Sequence, residues 1–485
     1  MINYICDYIM PLDNPRSDFS NWYSEILLRA KIVDIRTPIK GSNVLMPNGY
    51  EIWENIKNFM NIQFKKTNHK NAYFPLFIPE EFLEMETEHF SGFIPEVAWV
   101  THVGDKKLNK KVALRPTSET IMYHMYAQWI HSHADLPLKY NQWCNIIRWD
   151  TKETRPLLRD REFFWSEAHT CHASFDEAAV QVKESMMIYQ SLFDALCLSY
   201  MVFKRPKHDT FPGAEYTIAY DSPLPNGKTL QIGTTHHLSN NFSKAFDVKF
   251  LDKDGETKHV YQTSYGISTR LIAGVLSLHG DDQGLILPPI IAPVQIVIIP
   301  ILFKNKEEEV LNAVKQLEND ISSWGYRIHT DLRDQYTPGW KFSEWEMQGV
   351  PIRLEIGPRD VQNASTMLVR RDDGSKQSVS LQDLENEISS IMEDISINLK
   401  KRADKTLENY MRSANTFDEL TNILSNENAI VATNWCNNLD CATKIKENLS
   451  AGILGERNDI TEKSTGPCVV CNEPKASKVY VASSY

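Results

Sequence analysis

A chain of 485 residues is longer than one ordinary hydrophobic core organises, so two to four domains are expected. Its hydrophobic share of 42% and charged share of 24% are those of a soluble globular protein. A formal net charge of −11 excludes a general nucleic-acid coat protein, yet leaves room for an RNA held by local basic patches such as Arg155 to Arg161 and Arg370-Arg371. No run approaches the roughly 20 apolar residues that span a bilayer; the longest, Ile290 to Phe303, is broken by Pro293 and Pro300. The start lacks a basic stretch leading into an apolar one, so no signal peptide is expected and a cytoplasmic placement follows.

A helix is predicted through Phe19 to Lys31, turn formers occupy Gly41 to Gly49, and an amphipathic helix follows from Tyr50 to about Lys66. In that helix Ile52, Ile56, Phe59, Met60 and Phe64 recur at helical spacing. Ala72 to Ile78 reads as a strand ending at Pro79. Further strands are expected at Val112 to Leu114, Gln142 to Trp149, Glu162 to Glu167, Ala219-Tyr220, Thr229 to Ile232 and Val260 to Tyr265, with a long helix over Ser174 to Leu198. Strands parted by turns and helices, without strict βαβ alternation, indicate an α+β domain on an antiparallel sheet. The proline-rich stretch Leu285 to Pro293 reads as a linker. Beyond it Val294 to Leu302, Lys306 to Ser323, Tyr326 to Thr330, Trp340 to Gln348 and Ile352 to Ile356 alternate strand and helix, the pattern of a small α/β domain. Helical periodicity continues from Leu381 to about Leu424, and a cysteine-bearing tail closes the chain.

Four of the eight cysteines (Cys6, Cys144, Cys171 and Cys197) are scattered; the others form Cys436-x4-Cys441 and Cys468-x2-Cys471, with 26 residues between the pairs. Four thiols in two close pairs suit a tetrahedral structural zinc, against the alternatives of two disulfides or free thiols.

Four segments carry chemistry. Arg115-Pro-Thr-Ser-Glu-Thr120 leaves a strand and opens an apolar helix; read blandly, it is a capped helix start. Asn145-Ile-Ile-Arg-Trp-Asp150 and Glu162-Phe-Phe-Trp-Ser-Glu-Ala-His169 flank a loop with Arg155, Arg159 and Arg161. A solvated hairpin is the bland alternative, but clustered guanidinium groups bind phosphates bidentately, and the alternation of Phe163, Trp165 and Glu167 suits a pocket wall for a small cation. In Gln231-Ile-Gly-Thr-Thr-His-His237 the adjacent histidines point to opposite faces of a strand, which argues against a shared metal. Gly266-Ile-Ser-Thr-Arg270 opens another apolar helix.

Taken in order, these segments resemble the signature motifs of class II aminoacyl-tRNA synthetases: Tyr50 to Pro79 the first, Arg148 to Glu162 the second, and the helix from near Ser268 with Arg270 the third. Within that class the strings Arg115 to Thr120, Leu138 to Arg148, Gly233-Thr-Thr-His-His237, Tyr336-Thr-Pro-Gly-Trp-Lys-Phe342 and Pro351 to Asp360 resemble prolyl-tRNA synthetases of the archaeal and eukaryotic cytoplasmic type. The resemblance runs from about Asp18 to the last residue. Asp150 departs from it, since the family usually carries glutamate there.

The resemblance implies an α+β multidomain protein. Residues 1–285 would be an antiparallel-sheet catalytic domain, 286–400 an α/β anticodon-binding domain, and 401–485 a small α+β domain with structural Zn²⁺ on Cys436, Cys441, Cys468 and Cys471. It implies ATP-dependent attachment of L-proline to tRNA(Pro) through a prolyl-adenylate, with Mg²⁺ accompanying the ATP, by a homodimer built on the first motif. Arg148 would touch the substrate carboxylate and the α-phosphate, Arg270 the γ-phosphate, and Arg159 a further part of ATP; Gln231, Thr234 and Ser268 would bind the adenosine portion. Thr117 and Glu119 would take the secondary ammonium of proline, with Phe163, Trp165, Glu167, His169 and His236 lining its pocket. Lys341, Arg353, Glu355 and Arg359 are candidate anticodon contacts, and Tyr485 is expected to tuck back towards the active site. The short interval between the second and third motifs implies no editing by the chain itself. A threonyl- or histidyl-type synthetase, or a catalytically silent RNA- or protein-binding paralogue, is the rival reading.

Overall fold

The computed structural model of the protein describes residues 12–89 and 97–485; Cys6 lies outside them. One eleven-stranded sheet joins the region from residue 70 to 268 to the end of the chain. Its central strands are antiparallel: Met201–Lys204, Tyr216–Pro223, Thr229–Ser239, Tyr261–Ser268, Glu162–His172 and Leu138–Ile147 lie side by side in that order. The short strand Lys70–Asn71 adds a parallel edge. On one face lie the helices Phe175–Ala195 and Arg270–His279, which bury Tyr189, Leu192, Phe193, Leu271, Ile272 and Val275 against the sheet. Ser174 caps the first of these by accepting from the Glu177 amide. The opposite face carries the polar side chains described below.

Local differences from the sequence reading have physical causes. The first long helix begins at Pro47, not Tyr50, because proline at the first helical position needs no hydrogen-bond partner for its nitrogen. Gly49 lies in it where a Cβ would stand 2.4 Å from the Ile32 carbonyl oxygen, so what resembles a turn residue is a close-approach residue. Ala72 to Ile78 is not one strand: only Lys70–Asn71 and Phe77–Pro79 pair with neighbours. Between them, the Phe74 amide donates to Gln142 Oε1 at 2.6 Å and its carbonyl accepts from Arg115 Nη1 at 2.7 Å, so buried side chains replace a ladder. The exposed hairpin Trp99–Val103 and Lys106–Leu114 hides behind a lysine-rich pattern.

Residues 296–380 form a second sheet, ordered Ile328–Thr330, Ile296–Pro300, Ile352–Ile356, Ser365–Arg370 and Lys376–Ser380; the first three strands are parallel and the last two antiparallel. Helices Glu307–Ser323 and Leu384–Tyr410 supply the apolar side chains that cover it. The stretch Leu285 to Pro293 is not a loose linker. Leu285, Ile286, Leu287, Ile291 and Ala292 are buried, and Leu285 and Leu287 donate to the carbonyls of Met347 and Gly349.

The helical pattern from Leu381 also breaks earlier than its periodicity suggests. Met411–Ser413 becomes a strand parallel to Ile430–Trp435, and a new helix, Phe417–Asn426, starts with Thr416 as its cap. Strands Ser477–Ala482 and Gly452–Arg457 complete this region, and the latter pairs with Met201–Lys204, which is how the tail joins the central strands. Gly455 makes the junction possible: its φ is +126°, and a Cβ there would lie 2.1 Å from the Lys204 carbonyl oxygen. Gly455→Ala is therefore expected to cost about 2 kcal/mol or more in urea unfolding; an unchanged midpoint would show that the junction contributes little.

Candidate active site

Two cavities open side by side on the polar face of the central strands. The smaller, about 260 Å³, is walled by Thr117, Glu119, Trp165, Glu167, His169 and His236 among others. Trp165, Glu167 and His169 alternate along Glu162–His172, which turns all three to one face, and His236 comes from the strand two places away. Its neighbour His237 points elsewhere, towards the Phe175 carbonyl. Glu119 begins the helix Glu119–Trp129 and accepts from the Thr117 hydroxyl.

Glu167 organises this cavity. One carboxylate oxygen accepts from the Ser118 hydroxyl and from Gln142 Nε2 at 2.8 Å; the other lies 3.3 Å from His169 Nε2. Tyr123 holds the other ring nitrogen of His169 at 2.8 Å. Burial alone would raise the Glu167 carboxyl, but the hydrogen bonds from His169, Ser118 and Gln142 outweigh it and the pKa falls. Burial alone would likewise depress His169, yet the bond to Glu167 and the charges of Glu119 and Glu167 raise it. His236 has no such partner, and burial beside His169 pulls it down to about 3. The paired Glu167 and His169 nearly neutralise one another, so Glu119 leaves the cavity with an acidic bias suited to a small cation.

The larger cavity, about 390 Å³, has the opposite sign. Arg148, Arg159 and Arg270 line it together with Asp150, Phe163, Gln231, Thr234, Ser268 and Tyr485. Arg270 opens the helix Arg270–His279, and its Nε donates to the Leu158 carbonyl at 2.8 Å. Burial, together with the charges of Arg148 and Arg159, lowers its pKa to about 10. Guanidinium groups gathered against their own repulsion call for an anion of several charges. Asp160, beneath them, is pushed up to about 7 by burial despite hydrogen bonds from the Leu157 amide and Asn43.

Arg148 stands where the cavities meet and lines both, as do Trp165, Gln231 and Thr234. Its guanidinium lies 5.4 Å from the Trp165 ring centre and 5.8 Å from that of Phe163, and its Nε donates to the Pro116 carbonyl at 3.3 Å. Phe163 belongs to the larger cavity, not to the smaller one where its alternation with Trp165 would put it. Tyr485 closes the far side: its amide donates to the Thr229 carbonyl, its hydroxyl accepts from Arg155 at 3.0 Å and Asn226 at 2.8 Å, and its ring lies between Arg155 and Lys228.

Sequence reasoning missed the supporting residues Ser118, Gln142 and Tyr123, and the cavity residues Arg205, Asp209, Phe211 and Thr217. The signal for Arg205, Asp209 and Phe211 was the mixture of charged and aromatic residues in Lys204 to Phe211, a segment that reads as an ordinary loop. Elsewhere the structure uses up charges that look available. Arg370 and Arg371 are paired with Asp372 and Asp281, so they are no free basic patch. Lys341 is buried against Asp331, and Arg353 is held by Glu346 and Glu355; of the four candidate anticodon contacts, Arg359 has its side chain exposed.

At the end of the chain the Sγ atoms of Cys436, Cys441, Cys468 and Cys471 all lie within 4.8 Å of one another. Cys436 Sγ is 3.7 Å from that of Cys441 and 3.6 Å from that of Cys471. Four thiolates at about 2.3 Å from a tetrahedral zinc stand about 3.8 Å apart, so the donor set fits that ion.

An antiparallel sheet holding an anion cavity against a cation cavity, with an arginine between them, fits a class II tRNA synthetase. Comparison with known proteins agrees: residues 99–279 match the tRNA synthetase class II core domain (G, H, P, S and T), 295–391 the anticodon binding domain, and 417–485 the prolyl-tRNA synthetase C-terminal domain. A proline–tRNA ligase of Methanococcoides burtonii is 45% identical over 97% of this chain and 98% of its own, and that of Pyrococcus horikoshii is 44% identical over 94% and 95%. The crystal structure of prolyl-tRNA synthetase from Cryptosporidium parvum, complexed with halofuginone and AMPPNP, superposes with a TM-score of 0.92 at 35% identity, covering 99% of this chain and 100% of that one. The chain belongs to the prolyl-tRNA synthetase family.

The Glu167–His169 pair makes a direct prediction. In Glu167→Gln, burial acts on His169 without the carboxylate hydrogen bond that opposes it most, so its pKa, followed by histidine NMR, should fall. The sign is fixed: the raised value in the native pair holds the proton to higher pH than in an unfolded chain, and the variant releases it earlier. A pKa that stayed raised would remove Glu167 from this role.

Proposed function

We propose that the chain attaches L-proline to tRNA(Pro) in two ATP-dependent steps through a prolyl-adenylate. The observation that carries this reading is Arg148, which lines the cation cavity and the anion cavity at once. Activation brings the proline carboxylate onto the α-phosphate of ATP and expels pyrophosphate. Two anions must approach in line while charge accumulates on phosphorus, so orientation and fixed positive charge supply most of the rate enhancement. Arg148 would hold both reacting anions. Arg270 and Arg159 would take the triphosphate, and Gln231, Thr234 and Ser268 the adenosine. Mg²⁺ would offset triphosphate charge, and the Asp150 carboxylate on the cavity wall is an oxygen donor of the type it prefers.

In the smaller cavity Glu119 and Thr117 would receive the secondary ammonium, while Trp165 and His236 enclose the ring. Phe211 supports that wall, its ring centre 4.8 Å from that of His236. Proline offers no polar side-chain atom, so its selection rests on shape, worth about 1–3 kcal/mol per methylene-scale difference. The relatives cover nearly the whole chain and are proline–tRNA ligases, which favours this reading over a threonyl- or histidyl-type enzyme or a silent paralogue. Proline-dependent exchange of pyrophosphate into ATP tests it; exchange with another amino acid, or none, would overturn it.

The rest of the reading follows the same family. Residues 1–285 would be the catalytic domain, 286–400 the anticodon-binding domain and 401–485 the C-terminal domain, although the helix Leu384–Tyr410 runs across the last boundary. Homodimer formation is supported by apolar side chains left exposed around the first motif, including Tyr50, Ile62, Tyr73 and Phe77. Among the described residues no helix is long and apolar enough to cross a membrane, in keeping with a cytoplasmic enzyme. Cys436, Cys441, Cys468 and Cys471 would hold a structural Zn²⁺ that ties the helix Leu439–Leu449 to the segment before the last strand. Elemental analysis should find about one zinc per chain, lost in Cys468→Ser while ATP still binds; a wild-type protein without metal would refute the site.

A further inference from the structure

Arg205 lies outside every motif described above, yet it is nearly saturated with partners that meet nowhere else. It follows the strand Met201–Lys204, its own amide donates to the Thr217 carbonyl at 2.9 Å, and the Pro206 that follows restricts it to extended backbone. The side chain is buried, at 6% exposure. Its Nη2 donates to Asp221 Oδ1 at 3.0 Å and to Gln231 Oε1 at 3.1 Å, and its Nη1 donates to the Leu454 carbonyl at 2.8 Å. Asp209 stands 3.6 Å from Nε.

This arrangement fixes one chemical detail. A free glutamine amide can turn either its oxygen or its nitrogen to a ligand. Gln231 is held in one of these orientations, because its oxygen is turned to accept from Arg205. The nitrogen, with two hydrogens and no partner among the described residues, is the group turned to the wall shared by the two cavities. We infer that Arg205 is a positioning residue for adenylate formation: it orients Gln231 so that its amide donates to an acceptor atom of the bound nucleotide or aminoacyl group. The Leu454 carbonyl belongs to the strand Gly452–Arg457, so the C-terminal region supplies one of the three anchors that aim a catalytic-domain side chain. A planar fork that reaches three acceptors at once is a property of arginine and not of lysine.

This inference rests on the activity proposed above and deepens it. The test is a double-mutant cycle in proline-dependent pyrophosphate exchange on the full chain, with Arg205→Lys and Gln231→Met. Arg205→Lys keeps a cation beside the buried Asp221, so the fold retains its charge balance while the fork is lost. Each single variant is expected to lose about tenfold in kcat/KM for ATP, and the double variant to match Gln231→Met within about twofold, since Arg205 acts through Gln231. Losses that multiply would mean a merely structural role, and wild-type kinetics in Arg205→Lys would equally overturn the inference. Wild-type exchange separates the two levels: its absence removes the proposed activity, whereas an active wild type with multiplying losses removes only the role of Arg205.

Discussion

The constraint on which this architecture turns is the crowding of Arg148, Arg159 and Arg270 around one cavity. Burial, and after it the charges of Arg148 and Arg159, lower the proton affinity of Arg270, so the cleft is held open against its own electrostatics. Helices and strands do the holding. Arg270 is fixed at a helix start and tied to the Leu158 carbonyl, and Arg148 rests on Trp165 and the Pro116 carbonyl. Arg159 stays on the loop between Ile147 and Glu162, so the regular elements fix two of the three. The rigid sheet beneath them is therefore part of the electrostatics.

The neighbouring cavity solves the reverse problem. Glu119 and Glu167 share a buried space with His169, and the imidazole keeps the two carboxylates from repelling one another. The carboxylate of Glu119 then faces one cavity and the arginines the other, so in the proposed reading a zwitterionic amino acid would be drawn in with its ammonium inward and its carboxylate towards Arg148. Orientation of that substrate would follow from the field before any specific hydrogen bond forms.

Much of this was legible in the sequence because the site residues sit on regular elements. Trp165, Glu167 and His169 follow strand alternation, and the divergence of His236 from His237 follows from the same period. Arg205 and Phe211 were not legible, since both lie in a segment whose meaning depends on which strands it crosses. Lys341 misled for a related reason: a lysine in a recognisable string looks available, whereas its Nζ donates to the Asp331 carbonyl in a buried network with Arg333, Glu344 and Trp345. Phe74 and Pro288 show the limit for backbone. Residues around Phe74 carry strand-forming composition, but a buried arginine takes the hydrogen bond a neighbouring strand would need. Those around Pro288 look like a linker, but apolar neighbours in the fold bury them.

The pairing of Gly452–Arg457 with Met201–Lys204 has a consequence for how the molecule is made. The strand Met201–Lys204 is an interior strand of the finished sheet, but its partner lies about 250 residues later in the chain. At synthesis rates of roughly 5 to 20 residues per second, that edge stays unpaired for about 12 to 50 seconds after it emerges. An uncovered apolar edge is a template for pairing with another chain. Met201 and Phe203 are fully buried in the finished protein, so the nascent catalytic region carries an aggregation hazard until that segment arrives.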